Sequence, residues 1–113
     1  MNRNYLIERI EEDKSNKECF DCKSKDIHYI SFNNAIFLCK KCGNFHSKNL
    51  KSSSYIIIKN YDMLNIDQLN YLSKGGNSSL QKYMLYDYPK LGYLKVNDIY
   101  KTNAMVYYRN NVN

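Results

Sequence analysis

Cys19-Phe20-Asp21-Cys22 and Cys39-Lys40-Lys41-Cys42, separated by sixteen residues, hold all four cysteines of this 113-residue chain. Two residues between cysteines bring both sulfurs to one side of a tight loop. Two such loops supply the corners of a tetrahedron with Zn–S bonds of about 2.3 Å, so the spacing predicts one zinc ion on Cys19, Cys22, Cys39 and Cys42. Four sulfur ligands leave no open position for a reacting water, which makes the ion structural rather than hydrolytic. In a chain of this size its binding energy is expected to be a large part of folding. The first fifteen residues carry charges and no apolar stretch, so no secretory signal is expected, and a reducing compartment disfavours disulfides. The expected location is intracellular, cytoplasmic by default, with an organellar assembly as the other option.

The segment between the two cysteine pairs is long enough for a strand, a turn and a second strand. His28–Phe32 and Ala35–Leu38 flank the turn pair Asn33-Asn34. The second pair should run into a helix near Gly43–Leu50. Upstream, Tyr5–Asp13 has Leu6, Ile7 and Ile10 on one helical stripe, broken by Ser15-Asn16-Lys17. Downstream, Tyr55–Ile58 reads as a short strand and Asp62–Lys74 as a helix with Leu64 or Ile66, Leu69 and Leu72 inward. Gly75-Gly76 should stop that helix by taking the left-handed position after its end. Ser78 or Ser79 is placed to cap the next helix, which carries Leu80, Tyr83 and Met84. Tyr88–Gly92 reads as a turn. Asn97 or Asp98 should open a last helix through about Tyr108 with Ile99 and Val106 inward, and Asn110–Asn113 should fray.

The length fits one domain, 1–113, with a zinc finger over 16–50 and a helical remainder over 62–108. Apolar residues at 43% and charged residues at 25% are those of a folded chain. Apolar runs such as Ile56-Ile57-Ile58 fall far short of the roughly 18 residues of a membrane span. The formal charge is +6; four thiolates and one zinc would lower it to about +4. Residues 14–51 contain eight lysines against Glu18, Asp21 and Asp26, so the basic excess surrounds the cysteines. A solvated lysine surface accounts for this, and an acidic protein, anionic lipid or nucleic acid are the partners such a surface would attract.

The stretch Asn16–Cys22, with Phe37-Leu38-Cys39-Lys40-Lys41-Cys42-Gly43-Asn44-Phe45-His46, resembles the zinc finger of the Arf GTPase-activating-protein (ArfGAP) family, whose cysteine pairs have the same gap. The family's Trp-Ala-Ser lines up with Tyr29-Ile30-Ser31, and its Gly-Val-Phe-Leu-Cys with Ala35-Ile36-Phe37-Leu38-Cys39. Its Leu-Asp and Gly-Gly-Asn fall in register on Tyr61-Asp62 and Gly75-Gly76-Asn77, and a following aromatic matches Tyr83. The resemblance covers Tyr5–Tyr88 well and the last helix loosely. It implies an α/β (α+β) fold, a three-stranded sheet flanked by helices with zinc pinning one end. It also implies a protein that accelerates GTP hydrolysis on Arf-type small GTPases.

In that family the accelerating group is an arginine five positions after the fourth cysteine. An arginine finger is worth about 10³–10⁵ in rate. Here the position is Ser47, which carries neither the charge nor the fork of a guanidinium. Lys48 is rotated about 100° around a helix and is a point charge, and Arg3, Arg9 and Arg109 lie outside the motif. The family's Leu-Gly and second His are also replaced, by Asn49-Leu50 and Ser52. The resemblance without its arginine implies a zinc-stabilised interaction module or structural subunit of a larger assembly, lacking GTPase-activating activity. The alternative is a GTPase-activating regulator that binds Arf-family small GTPases; a remote one is a GATA-like DNA-binding finger, which would leave the downstream motifs unexplained. Lys40, Lys41, Ser47 and Lys48 are the candidate partner-binding residues. His46 is expected to pack or hydrogen-bond beside the zinc loop, His28 to lie on the sheet surface, and Asn77 to tie down the loop after the central helix. Tyr71, Tyr83, Tyr86 and Tyr88 read as core and rim, and Tyr107-Tyr108-Arg109 as a docking element.

Overall fold

A three-stranded antiparallel sheet of order β2-β1-β3 divides the molecule into two packed halves. The computed structural model describes residues 2–112. Along the chain lie α1 (Arg3–Glu12), β1 (Ile27–Ser31), β2 (Ile36–Cys39), α2 (Lys40–Asn49), β3 (Ile56–Ile58), α3 (Ile66–Lys74), α4 (Asn77–Lys82), α5 (Val96–Ile99) and α6 (Asn103–Asn110), joined by turns and short 3-10 or π-helical stretches, among them Tyr83–Asp87 and Pro89–Tyr93 between α4 and α5. The α+β architecture is the expected one. Among the described residues, no helix is long and apolar enough to cross a membrane.

Successive side chains on a strand point to opposite faces, and the two faces are covered differently. Ile30, Phe37 and Ile57 point to a face closed by Leu6 and Ile10 of α1 and Leu69 and Leu72 of α3. Ile36, Leu38 and Ile56 point to the other, closed by Cys19, Leu50, Leu80, Tyr100, Met105 and Tyr108. Tyr29 lies on that second face against Gly43, where any Cβ would sit 2.4 Å from the tyrosine ring, so glycine is what lets α2 approach the sheet. The outer rim of β2 is closed: the Phe37 N–H donates to Asn77 Oδ1 at 2.8 Å, and the Phe37 carbonyl accepts from the Phe20 N–H at 2.9 Å. β3 forms the opposite rim.

The β1–β2 hairpin closes with Ala35 at φ +54°, a conformation in which glycine is unstrained. That is the residue aligned with a glycine in the family pattern. Gly75 then packs onto this turn so closely that a Cβ would lie 2.4 Å from that of Ala35, while the Gly76 N–H donates to the Ala35 carbonyl at 2.8 Å.

Several local expectations are corrected. The second cysteine pair does not precede its helix; it is the first turn, with Cys39 as N-cap and Cys42 inside α2. The central helix starts at Ile66, because Asn65 and Gln68 form a reciprocal capping box there. Leu64 is therefore inward and Ile66 exposed. Gly75 has φ −90°, and positive φ falls instead on Gly76 (φ +92°, ψ 168°), which is the N-cap of α4 and not a left-handed helix end. Ser78 and Ser79 do not cap α4. Its first amides are capped from the turn after α1, Asn77 N–H donating to Asn16 Oδ1 at 2.7 Å and Ser78 N–H to Asp13 Oδ2 at 3.3 Å.

The last helix is two, α5 and α6. Tyr100 turns into the core and Thr102 restarts the helix by accepting from the Met105 N–H. Met105 and Tyr108 are inward and Val106 is exposed. Of the stretch expected to fray, Asn110 ends α6 and Val112 is buried against the core, while Asn113 lies outside the described residues.

Candidate metal centre

The ligand atoms of Cys19, Cys22, Cys39 and Cys42 all lie within 4.8 Å of one another, and the sulfurs of Cys22 and Cys39 are 3.6 Å apart. A tetrahedron with Zn–S bonds of about 2.3 Å has edges of roughly 3.8 Å, so the four sulfurs can hold one zinc ion. The first pair is shaped by backbone bonds, Lys23 N–H to the Cys19 carbonyl at 2.9 Å and Cys19 N–H to the Ser24 carbonyl at 2.7 Å. Lys23 turns the chain with φ +69°. The second pair sits at the positive end of α2, where the Cys42 N–H donates to Cys39 Sγ at 3.4 Å. Burial pushes the Cys19 and Cys42 thiols up, and a backbone hydrogen bond at Ser24 brings the exposed Cys22 down. The backbone amides of Cys39, Cys22 and Asp21 oppose the rise at Cys19. A divalent ion in the centre would favour all four thiolates.

Behind the sulfurs runs a buried hydrogen-bonded chain. Asp21, between the first two cysteines, accepts from the Tyr100 hydroxyl at 2.6 Å and lies 2.6 Å from His46 Nε2. His46 Nδ1 is 2.7 Å from Ser54 Oγ, which is 2.6 Å from Ser31 Oγ; Asn34 Nδ2 donates to Ser31 Oγ at 2.8 Å. Arg109 donates to Asn34 Oδ1 at 3.0 Å, to the Tyr100 carbonyl at 2.9 Å and to the Ser53 carbonyl at 3.3 Å. A neutral His46 with its proton on Nε2 gives one consistent set of directions: Nε2–H donates to Asp21, Ser54 donates to Nδ1, Ser31 donates to Ser54 and Asn34 donates to Ser31. The chain runs from a guanidinium to a carboxylate, and no described buried side-chain N or O is left without a partner. The order Asp-His-Ser matches a hydrolytic triad in composition only, since His46 is 0% and Ser54 3% exposed and no substrate reaches them.

His46 is thus the hydrogen-bonded neighbour of the zinc loop that the sequence indicated. His28 is an exposed sheet residue 3.1 Å from Asp26. Asn77 ties three segments, donating to the Ser15 and Glu18 carbonyls at 2.8 and 2.7 Å besides holding Phe37. The sequence assigns no site role to Asp21, Ser31, Asn34, Ser54 or Tyr100: Asp21 stands out only by its place between two cysteines, Ser31 only within the family alignment and Asn34 only as a turn residue, and Tyr100 meets Asp21 across 79 positions.

Lys40, Lys41, Ser47 and Lys48 are all exposed on α2. At 100° per residue, Ser47 shares a stripe with Lys40, and Lys48 shares the neighbouring one with Lys41. None of the three arginines lies on this helix. Arg3 is bound to the Tyr61 carbonyl at 2.7 Å and to the Leu64 carbonyl, Arg9 to the Tyr5 hydroxyl, and Arg109 to the chain described above. The expected Tyr107-Tyr108-Arg109 docking element is therefore corrected: Tyr108 is buried and Arg109 is spent inside the fold, leaving Tyr107 exposed. Of the tyrosines expected in core and rim, Tyr71 and Tyr83 are partly buried and Tyr86 and Tyr88 are exposed. A hollow of about 280 Å³ lined by Asp21, Cys22, Lys41, Cys42, Phe45 and Val96 adjoins the lysines.

Comparison with known proteins places this geometry. Residues 4–111 match the ArfGap family, described as "Putative GTPase activating protein for Arf". The "Probable ADP-ribosylation factor GTPase-activating protein AGD15" of Arabidopsis thaliana is 27% identical over 85 residues, 75% of this chain and 37% of that protein. UBA domain-containing protein 3 of Schizosaccharomyces pombe is 27% identical over 82 residues, 73% of this chain and 14% of that protein. Human stromal membrane-associated protein 1 is 24% identical over 82 residues, 73% and 17%. This chain therefore spans well under half the length of each. Two solved structures share the fold. A Cryptosporidium parvum protein, described in similar words for ADP ribosylation factor, superimposes with a TM-score of 0.73 at 21% identity, covering 97% of this chain and 87% of that one. The solution structure of the ArfGap domain of human RIP gives 0.55 at 19% identity, covering 76% and 65%. With nearly its whole length matched by the family and its four cysteines gathered where a zinc ion fits, the chain belongs to the ArfGAP family.

Proposed function

We propose that this chain is a zinc-holding ArfGAP-type domain that engages a protein partner through α2 without accelerating GTP hydrolysis, serving as an interaction or structural subunit of a larger assembly. The ligand set is Cys19, Cys22, Cys39 and Cys42, and the bound ion crosslinks the first cysteine loop to the start of α2 without an open coordination position. The observation that carries the reading is Ser47, exposed on α2 where the family pattern has its arginine, with none of the three arginines of the chain on that helix. Stabilising the spread negative charge of phosphoryl transfer needs a cation with a matching fork, and a hydroxyl is not one. What α2 does offer is Lys40, Lys41 and Lys48 on its outer face with no acid among its ten residues, and beside them the apolar hollow at Phe45 and Val96. That combination suits an acidic protein surface bearing one apolar side chain.

In a single-turnover assay with an Arf-type GTPase, the expected result is no acceleration; a rate gain above about tenfold would overturn the proposal. A second reading, a GTPase-activating regulator that binds such a GTPase, is supported by the family membership. Native pull-down separates the two: a small GTPase as the main partner supports the regulator, and a multi-subunit complex supports the structural subunit.

A further inference from the structure

We infer that Asp21 and Tyr100 are positioning residues for the metal centre, so that docking of the α5–α6 segment tightens zinc binding. The inference rests on the zinc reading above and extends it to residues that no cysteine spacing identifies. Asp21 lies between the ligands Cys19 and Cys22 in the chain. Its carboxylate is gripped from both sides, by the Tyr100 hydroxyl on Oδ1 and His46 Nε2 on Oδ2, each at 2.6 Å. The loop between Cys19 and Cys22 is therefore held by its middle.

Each clamp is itself immobilised. The Tyr100 side chain is fully buried, its ring lies 4.7 Å from that of His46, and its carbonyl accepts from Arg109 on α6. His46 is fixed through Ser54, Ser31 and Asn34, which leads back to the same Arg109. Two routes thus connect α6 to the metal loop, one through α5 and one through the sheet, and both end on Asp21. Groups that orient metal ligands from behind commonly contribute 10- to 100-fold in metal affinity. Here the rearmost of them lies more than 60 residues beyond the last cysteine.

The test compares two single-hydroxyl deletions in the full chain. Tyr100→Phe keeps the ring and removes the clamp on Asp21. Tyr83→Phe removes a bond of equal kind to the Ala104 carbonyl at 2.7 Å, tying α6 without touching Asp21. Zinc affinity, read by chelator competition, should fall about tenfold or more in Tyr100→Phe and change less than about twofold in Tyr83→Phe. With cobalt(II) in place of zinc, the thiolate charge-transfer and ligand-field bands should shift in the first variant only. Asp21→Asn, which cannot accept from both clamps, should lose affinity like Tyr100→Phe and serves if that variant fails to fold. Equal zinc affinities for wild type and Tyr100→Phe, or for wild type and Asp21→Asn, would overturn the inference while leaving the zinc site standing. A folded wild type that binds no zinc would remove both.

Discussion

The two faces of the sheet are built on different physics. Toward α1 and α3 the cover is dry: Leu6, Ile10, Ile30, Phe37, Leu69 and Leu72 meet with no polar side chain among them. Toward α2 and the C-terminal helices, an apolar cluster is crossed by a charged, hydrogen-bonded chain ending beside four sulfurs. The dry face derives stability from area removed from water and tolerates shape-conserving exchange. The wet face works only when every group has its partner, because a buried polar atom left alone costs more than the bond was worth. One sheet thus carries a forgiving half and an exacting half.

The contrast can be pressed in order of size. Stripping the metal with a strong chelator should collapse the wet face and, with it, the whole fold. Structural zinc sites supply roughly 10–16 kcal/mol, against total stabilities of about 5–15 kcal/mol; circular dichroism before and after zinc return measures it. If the α1–α3 face kept its helices without metal, the halves would be more independent than this comparison holds. Leu72→Ala on the dry face should cost about 2–5 kcal/mol in denaturant unfolding through transfer and cavity terms. Asn77→Ala should cost about as much, roughly 3 kcal/mol, by stranding the Phe37 amide and the Ser15 and Glu18 carbonyls. The smallest effect sharpens the helix correction: Val106→Ala should stay within about 0.5 kcal/mol, as an exposed position does.

Legibility in the sequence follows the same division. The dry face was readable because apolar residues at helical spacing state their own orientation, as Leu6 and Ile10 or Leu69 and Leu72 do. The cysteine cluster was readable because short chelating spacings are local. The polar chain was not. Ser54 sits in a serine run that reads as a loop, and Tyr100 in a stretch that reads as one helix; their partners are 8 and 79 positions away. The same limit explains the misplaced cap of α4. Asp13 and Asn16 do the capping from the other end of the sequence, and the serines on the spot are not used. Val106 failed for a different reason: helical phase carried across Tyr100–Thr102 is wrong once the chain breaks and restarts there.

The two rims of the sheet have opposite fates. At β2, a side-chain amide from Asn77 and a loop amide from Phe20 already occupy the places a neighbouring strand would need. At β3, the isoleucine triplet Ile56–Ile58 borders no strand on its outer side among the described residues, and Ile58 is largely exposed. Any extension of this sheet, whether by a guest peptide or by unwanted self-association, is consequently restricted to one direction.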